Sequence, residues 1–172
     1  NSKKRLFTEI LSNDGCSVIC VDTREGKELS KIIKKSGRYV MEVGKDANSL
    51  NLKKLISIDK GIEMNFHYDG EEFFIPIKVE GYFQAINILC AAGLAIASGS
   101  PSDKVFATLK DLLPIIGRFE FCGYNKLNAK IYVDYAHTPD ALASALISLR
   151  NLTKGKIILI FGLIGLNRGG KL

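Results

Sequence analysis

Asp134, Tyr135 and His137 stand almost side by side in "DYAHTPDAL", residues 134–142, and His137 is one of only two histidines in the chain. An imidazole can stack on a base or hydrogen-bond a ribose. A carboxylate can hold a hydroxyl or an ammonium. The stretch therefore has two readings: a strand that ends in a turn before a helix, or a nucleotide-handling site at the carboxyl end of a strand. Spacing alone leaves both open. The second histidine, His67, alternates with Phe66 and Tyr68 and reads as an ordinary strand residue. The four cysteines, Cys16, Cys20, Cys90 and Cys122, form no C-x-x-C pair. With so few histidines beside them, a zinc site is not expected.

The elements around these residues can be read from period and punctuation. Leu6, Phe7, Ile10 and Leu11 have helical spacing. "CSVICV" (16–21) reads as a buried strand ending at Asp22-Thr23. A helix follows over about 25–35, and "GRYVMEV" (37–43) is a second strand. This alternation predicts an α/β sheet. Asp69-Gly70 sits between two alternating runs and predicts a two-residue hairpin turn. From Tyr82 to Ser102 no residue is charged, but the strongly apolar core, Ala85–Ala97, is too short for a membrane span, which needs roughly 20 residues. It predicts a buried helix over about 84–98. Another helix is expected from an N-cap at Ser102 to about Leu112, closed by Pro114.

Farther on, "GRFEF" (117–121) and "AKIYVDY" (129–135) read as strands around an Asn-rich turn. Thr138 can cap a helix with Pro139 at its first position. Ala141, Leu142, Ala145, Leu146 and Leu149 would form that helix's buried face. "KIILIFG" (156–162) reads as a fully apolar strand. Strand, helix and apolar strand predict a parallel crossover unit. In such sheets ligands sit beyond the carboxyl ends of strands, where Asp134 and His137 fall.

Composition narrows the function classes. Apolar residues make up 47% of the 172 positions, enough for a core. The net charge of +6 comes from scattered lysines rather than a basic stripe interleaved with aromatics, so nucleic-acid binding is not expected. The charge does suit phosphorylated or acidic small molecules. Unpaired cysteines and the lack of a secretory pattern predict a reducing cytoplasm. The start, "NSKKRLF", predicts a chain that begins inside a longer protein.

Several words resemble the Mur ligase family, and specifically the branch that adds the third amino acid to UDP-MurNAc-L-Ala-D-Glu. "DYAHTPDAL" resembles that branch's signature. "GYFQAINILCAAGLA" is similar to G-x-F-N-x-x-N-x-L-A-A, "GRFE" to G-R-x-E, and "KIILIFG" to the strand before a Gly-rich loop. "SKKRLF" is similar to A-K-x-x-L-F. The resemblance covers nearly the whole chain and is weakest over 22–80. It implies an α/β fold: the second half of a central P-loop-type ATPase domain (1–116), then the start of a Rossmann-like C-terminal domain (117–172).

The resemblance also implies an ATP-dependent ligase that works through an acyl phosphate in peptidoglycan synthesis. ATP and magnesium would be the cofactors. UDP-MurNAc-dipeptide and a diamino acid, diaminopimelate or lysine, would be the partners of a cytoplasmic monomer. Residue by residue, Asn87 matches the second Asn of the adenine-contacting pair, with Gln84 in place of the first. Arg118 matches a nucleotide-facing Arg. Asp134 and His137 match the D-Y-A-H pair at the nucleotide. Lys3 matches the lysine that binds magnesium once carbamylated.

The chain departs from the family at "GLIGLNRGGKL". There Arg168 can stand for the Arg of G-x-G-G-D-R-D, as a substrate contact, but both carboxylates are missing. The loop G-x-x-G-K-[ST] and the word D-N-P-R do not occur in the chain. The expectation is an internal ligase fragment, inactive alone. A non-catalytic remnant, or a cyanophycin- or folylpolyglutamate-type amide ligase, are the alternatives.

Overall fold

A computed structural model of the chain describes residues 6–162. The chain divides into two compact units, Asn1–Ile116 and Gly117–Leu172.

The first unit is a five-stranded mixed sheet with helices on both faces. After a short π-helical turn (Leu6–Ile10) come β1 (Cys16–Cys20), α1 (Arg24–Lys35), β2 (Tyr39–Gly44), β3 (Leu50–Ile58), β4 (Gly61–Tyr68) and β5 (Glu71–Ile77), in spatial order β1-β2-β3-β4-β5. β1 and β2 pair in parallel through the α1 crossover, with Cys16 opposite Tyr39 and Cys20 opposite Val43. The loop between β2 and β3 is too short for a full crossover, and their parallel contact is two pairs long, Val43–Leu50 and Gly44–Asn51. β3, β4 and β5 then run antiparallel. Asp69 (φ 50°) and Gly70 (φ 81°) make the predicted β4–β5 turn, with both central residues left-handed.

Two helices complete the unit: α2 (Tyr82–Ala97) and α3 (Ser102–Leu109). Through Leu89 and Phe106 among others, they cover one sheet face over Val43, Leu50, Leu52, Met64, Phe66 and Ile77. The rings of Phe66, Tyr68 and Phe73 all pack on Phe106, with centroids 4.7–5.3 Å away. α1 covers the opposite face, with its Ile33 in one cluster with Ile19, Val21 and Ala47. Gly93 lets α2 lie close on the sheet: a Cβ there would stand 3.0 Å from Val18 Cγ1 and 3.1 Å from Met41 Sδ. α2 buries Gln84, Ala85, Ile86, Leu89 and Ala92, while Asn87, Ala91, Leu94 and Ser98 form a solvent-facing stripe. Among the described residues no helix is long and apolar enough to cross a membrane.

α3 corrects one expectation. Ser102 is its first helical residue, not its cap. Pro101 holds the cap position at φ −60°, ψ 132°, and its carbonyl accepts from Val105 N–H at 3.0 Å. Proline's fixed φ suits that extended entry. The helix also ends earlier than expected, because Asp111 and Leu112 turn back onto Thr108 and Leu109 in tighter bonds.

The second unit holds β6 (Glu120–Tyr124), β7 (Lys130–Val133) and α4 (Pro139–Leu152). β6 and β7 form an antiparallel hairpin with a bulge at Cys122. Thr138 caps α4 through its side chain and Pro139 opens it, as the sequence predicts. Ala145 and Ser148 are its buried residues, so the buried stripe is narrower than the apolar pattern.

The expected parallel partner does not form among the described residues. Residues 156–162 join no ladder, and Ile158, Leu159, Ile160 and Phe161 are all exposed. An apolar run reports that a strand prefers burial on both faces. It does not say which strand or layer will provide that burial.

Candidate functional site

The parallel part of the first sheet ends where β1 and β2 hand over to Asp22 and Lys45. Asp22 follows the last buried residue of the β1 run. Its Oδ1 accepts from Lys45 N–H at 2.8 Å, and its Oδ2 accepts a short hydrogen bond from Tyr82 Oη. Lys45 Nζ lies 4.6 Å from the centre of the Tyr82 ring. Gly44 (φ 146°) is required here, since a Cβ would stand 2.3 Å from Asp22 Oδ1. Burial first, and then the Asp22 carboxylate, push the Tyr82 phenol well above the usual tyrosine range, so it stays a donor. This cluster ties the first turn of α2 to the carboxyl ends of two parallel strands, the usual ligand-binding edge of an α/β sheet. Burial also pushes the thiol of nearby Cys90 up to about 11. It is a packing group rather than a nucleophile.

Asn87 projects from α2, five residues beyond Tyr82, on the exposed stripe. Its Nδ2 donates to Gln84 Oε1 at 3.2 Å, and Gln84 is only 8% exposed.

In the second unit, Arg118, Asp134 and His137 gather around Tyr135. The Arg118 guanidinium lies 5.0 Å from the Tyr135 ring centre, and the His137 ring is 5.0 Å away from the same ring, tilted by 60°. Tyr135 N–H donates to Gly117 O at 2.8 Å, which fastens the end of β7 beside the Gly-Arg turn. Gly117 N–H in turn donates to Glu120 Oε2 at 2.7 Å. Asp134 Oδ1 accepts from Ala136 N–H at 2.7 Å, a local turn that bends the chain away from the strand. His137 Nδ1 lies 3.0 Å from Tyr135 O. A carbonyl can only accept, so Nδ1 is the donor in this contact and Nε2 is left facing away from it.

Of the sequence candidates, Arg118, Asp134 and His137 thus share one corner of the second unit, and Asn87 lies in the first. Lys3 and Arg168 lie outside the described residues. Among the described residues no group of three or more His, Cys, Asp or Glu could hold a metal ion. Nothing local in the sequence marks Tyr82 or Lys45, and Tyr135 stands in its motif as a packing residue. Tyr82 and Asp22 are 60 residues apart, so only the fold joins them. Tyr135 had a signal, an aromatic between the acid and the imidazole, and it reads as packing until its exposure of 63% is known.

The family model of the Mur ligase middle domain matches residues 1–95, and that of the Mur ligase glutamate ligase domain matches 117–170. The UDP-N-acetylmuramoyl-L-alanyl-D-glutamate–2,6-diaminopimelate ligase of Agrobacterium fabrum is 36% identical over 170 residues, covering 99% of this chain and 35% of that protein. The protein of the same name from Zymomonas mobilis is 34% identical over the same shares. The chain therefore spans about a third of the length of these curated relatives. Among solved structures, MurF from Acinetobacter baumannii matches with a TM-score of 0.70 at 17% identity, over 86% of this chain and 32% of that one. MurF ligase from Thermotoga maritima in complex with ADP matches with a TM-score of 0.68 at 19% identity, over 81% and 31%. A folylpolyglutamate synthase from Mycobacterium tuberculosis, complexed with ADP, matches with a TM-score of 0.61 at 18% identity, over 78% and 30%. These likenesses establish a shared fold.

Proposed function

Since the chain belongs to the Mur ligase family, we propose that it forms part of a cytoplasmic, monomeric ligase that adds diaminopimelate to UDP-MurNAc-L-Ala-D-Glu in peptidoglycan synthesis. Residues 1–116 serve as the later part of its central ATPase domain, and 117–172 as the beginning of its C-terminal domain. The observation that carries this reading is the match, over 99% of the chain, to ligases named for diaminopimelate. ATP is the nucleotide.

In the reaction, the dipeptide carboxylate attacks the γ-phosphate and releases ADP. The amine of the amino acid then displaces phosphate from the acyl phosphate and leaves an amide. The geometry supports particular roles. Asn87 meets the adenine edge with a side-chain amide. Arg118, held against Tyr135, meets phosphate or ribose oxygens with its guanidinium. His137 offers Nε2 to a ribose hydroxyl, and Asp134 shapes the turn that carries it. Lys3 as a carbamylated magnesium ligand, and Arg168 as a substrate contact, belong to the same proposal.

The test is a chimera. Residues 1–172 replace the matching segment of the Agrobacterium fabrum ligase, and phosphate release is measured with ATP, UDP-MurNAc-dipeptide and diaminopimelate. Diaminopimelate-dependent release is expected. His137→Ala should lower it about tenfold, the loss of roughly one hydrogen bond. A folded chimera that binds ADP and never ligates would overturn the proposal. It would favour the second reading, a non-catalytic remnant, to which the missing carboxylates of "GLIGLNRGGKL" already point.

A further inference from the structure

We infer that Gln84 is a positioning residue for Asn87, one that fixes the direction of its amide and so sets which purine the site accepts. This rests on the nucleotide reading above. Three observations carry it. The two side chains sit one turn apart on α2, with Asn87 Nδ2 donating to Gln84 Oε1 at 3.2 Å. Gln84 is 8% exposed, so its own amide has little room to swing. The first turn of α2 is itself anchored, through Tyr82 to Asp22 and through Lys45 over the Tyr82 ring.

The chemical consequence follows from the donor inventory. An asparagine amide has two N–H donors and one carbonyl acceptor. With one N–H committed to Gln84, the exposed Asn87 presents Oδ1 and its remaining N–H in a set order. Adenine answers that order with its N6 amino donor and its neighbouring ring-nitrogen acceptor. Guanine places O6, an acceptor, where adenine has the amino group, so Oδ1 would face another lone pair. A freely rotating amide could turn its N–H to O6 and keep one bond to guanine. The Gln84 contact removes that escape. Gln84 touches no base in this scheme. It acts through Asn87.

The experiment uses the full 172-residue chain, titrated with ADP and separately with GDP. It is followed through the Asn87 side-chain N–H resonances, which report weak binding directly. The wild type is expected to favour ADP about tenfold, within the range of a bidentate amide–adenine pair. Gln84→Glu keeps an acceptor for Nδ2 and should keep the preference. Gln84→Met keeps length without the acceptor and should bring the two affinities within about twofold, with the α2 backbone spectrum unchanged. A preference that survives Gln84→Met, with Asn87 still shifting on ADP, overturns the positioning role and leaves the nucleotide reading standing. Asn87 resonances that respond to neither nucleotide overturn both. Should Gln84→Met not fold, the wild type decides through exchange of its Asn87 side-chain protons. One slow and one fast proton are expected, and two equally fast ones refute the contact.

Discussion

Glu42 shows how one charged side chain can be kept inside this fold. It is 8% exposed, on β2 facing α1. Burial pushes its carboxyl upward. Hydrogen bonds from Lys34 Nζ at 2.6 Å and Ser30 Oγ at 2.5 Å, the Lys34 charge and the Asn48 backbone outweigh that and hold it below the usual glutamate range. Asn48 Nδ2 adds a further bond at 2.9 Å. A carboxyl with a depressed folded pKa stabilises the protein above its unfolded pKa. That contribution is lost as the pH falls through the folded value. Stability should therefore drop on acidification from about pH 5 downward. Glu42→Gln, which removes the charge but keeps the shape, should cost about 2 kcal/mol at pH 7 and flatten that acid limb. Urea unfolding at pH 7 and pH 3.5 checks both. An equal cost at the two pH values would mean that packing, not charge, makes Glu42 matter.

At the scale of the element, α2 and α4 make contrasting tests. α2 is held by its core contacts: Leu89 is fully buried against the sheet. Leu89→Ala should cost about 3–4 kcal/mol, the transfer term plus the cavity. α4 buries little and depends on its ends. Thr138 Oγ1 accepts from Ala141 N–H at 3.3 Å, and Pro139 presets the first turn. Thr138→Ala should cost about 1 kcal/mol, and the loss should stay in the second unit. Amide exchange would show protection lost at the start of α4 and kept in α2. Protection lost evenly across the chain would refute that assignment.

For the whole molecule, the two units differ in what holds them. The first has a core on each face of its sheet. Among the described residues from Gly117 onward, the buried ones are Phe119, Ala145 and Ser148. A unit with so little apolar burial has low stability of its own. Heating the 172-residue chain should give two transitions, the second unit unfolding first, rather than one cooperative step. Calorimetry with tryptic cleavage would show 117–162 digested while the first unit persists. The chain alone should also neither hydrolyse ATP nor ligate, because G-x-x-G-K-[ST] does not occur in it and phosphoryl transfer needs the β- and γ-phosphates held. Substrate-dependent phosphate release above a His137→Ala control would refute this.

Local signals determined a good deal of this protein without the fold. Asp69-Gly70 names its turn because few residues tolerate left-handed φ, and Thr138-Pro139 names a helix start because a cap bonds only three residues ahead. The words around Asn87, Arg118 and His137 named the family, since they are contiguous strings. Tertiary structure alone decided the contacts that span sequence: Tyr82 on Asp22, Lys45 over the Tyr82 ring, and Arg118 beside Tyr135. It also decided that Lys130–Val133 pairs backward with β6, and that 156–162 joins no ladder among the described residues. The physical reason is the same in each case. A cap, a turn or a motif is written in neighbouring residues, whereas a strand's partner and a side chain's neighbour depend on which surfaces meet after the chain has folded.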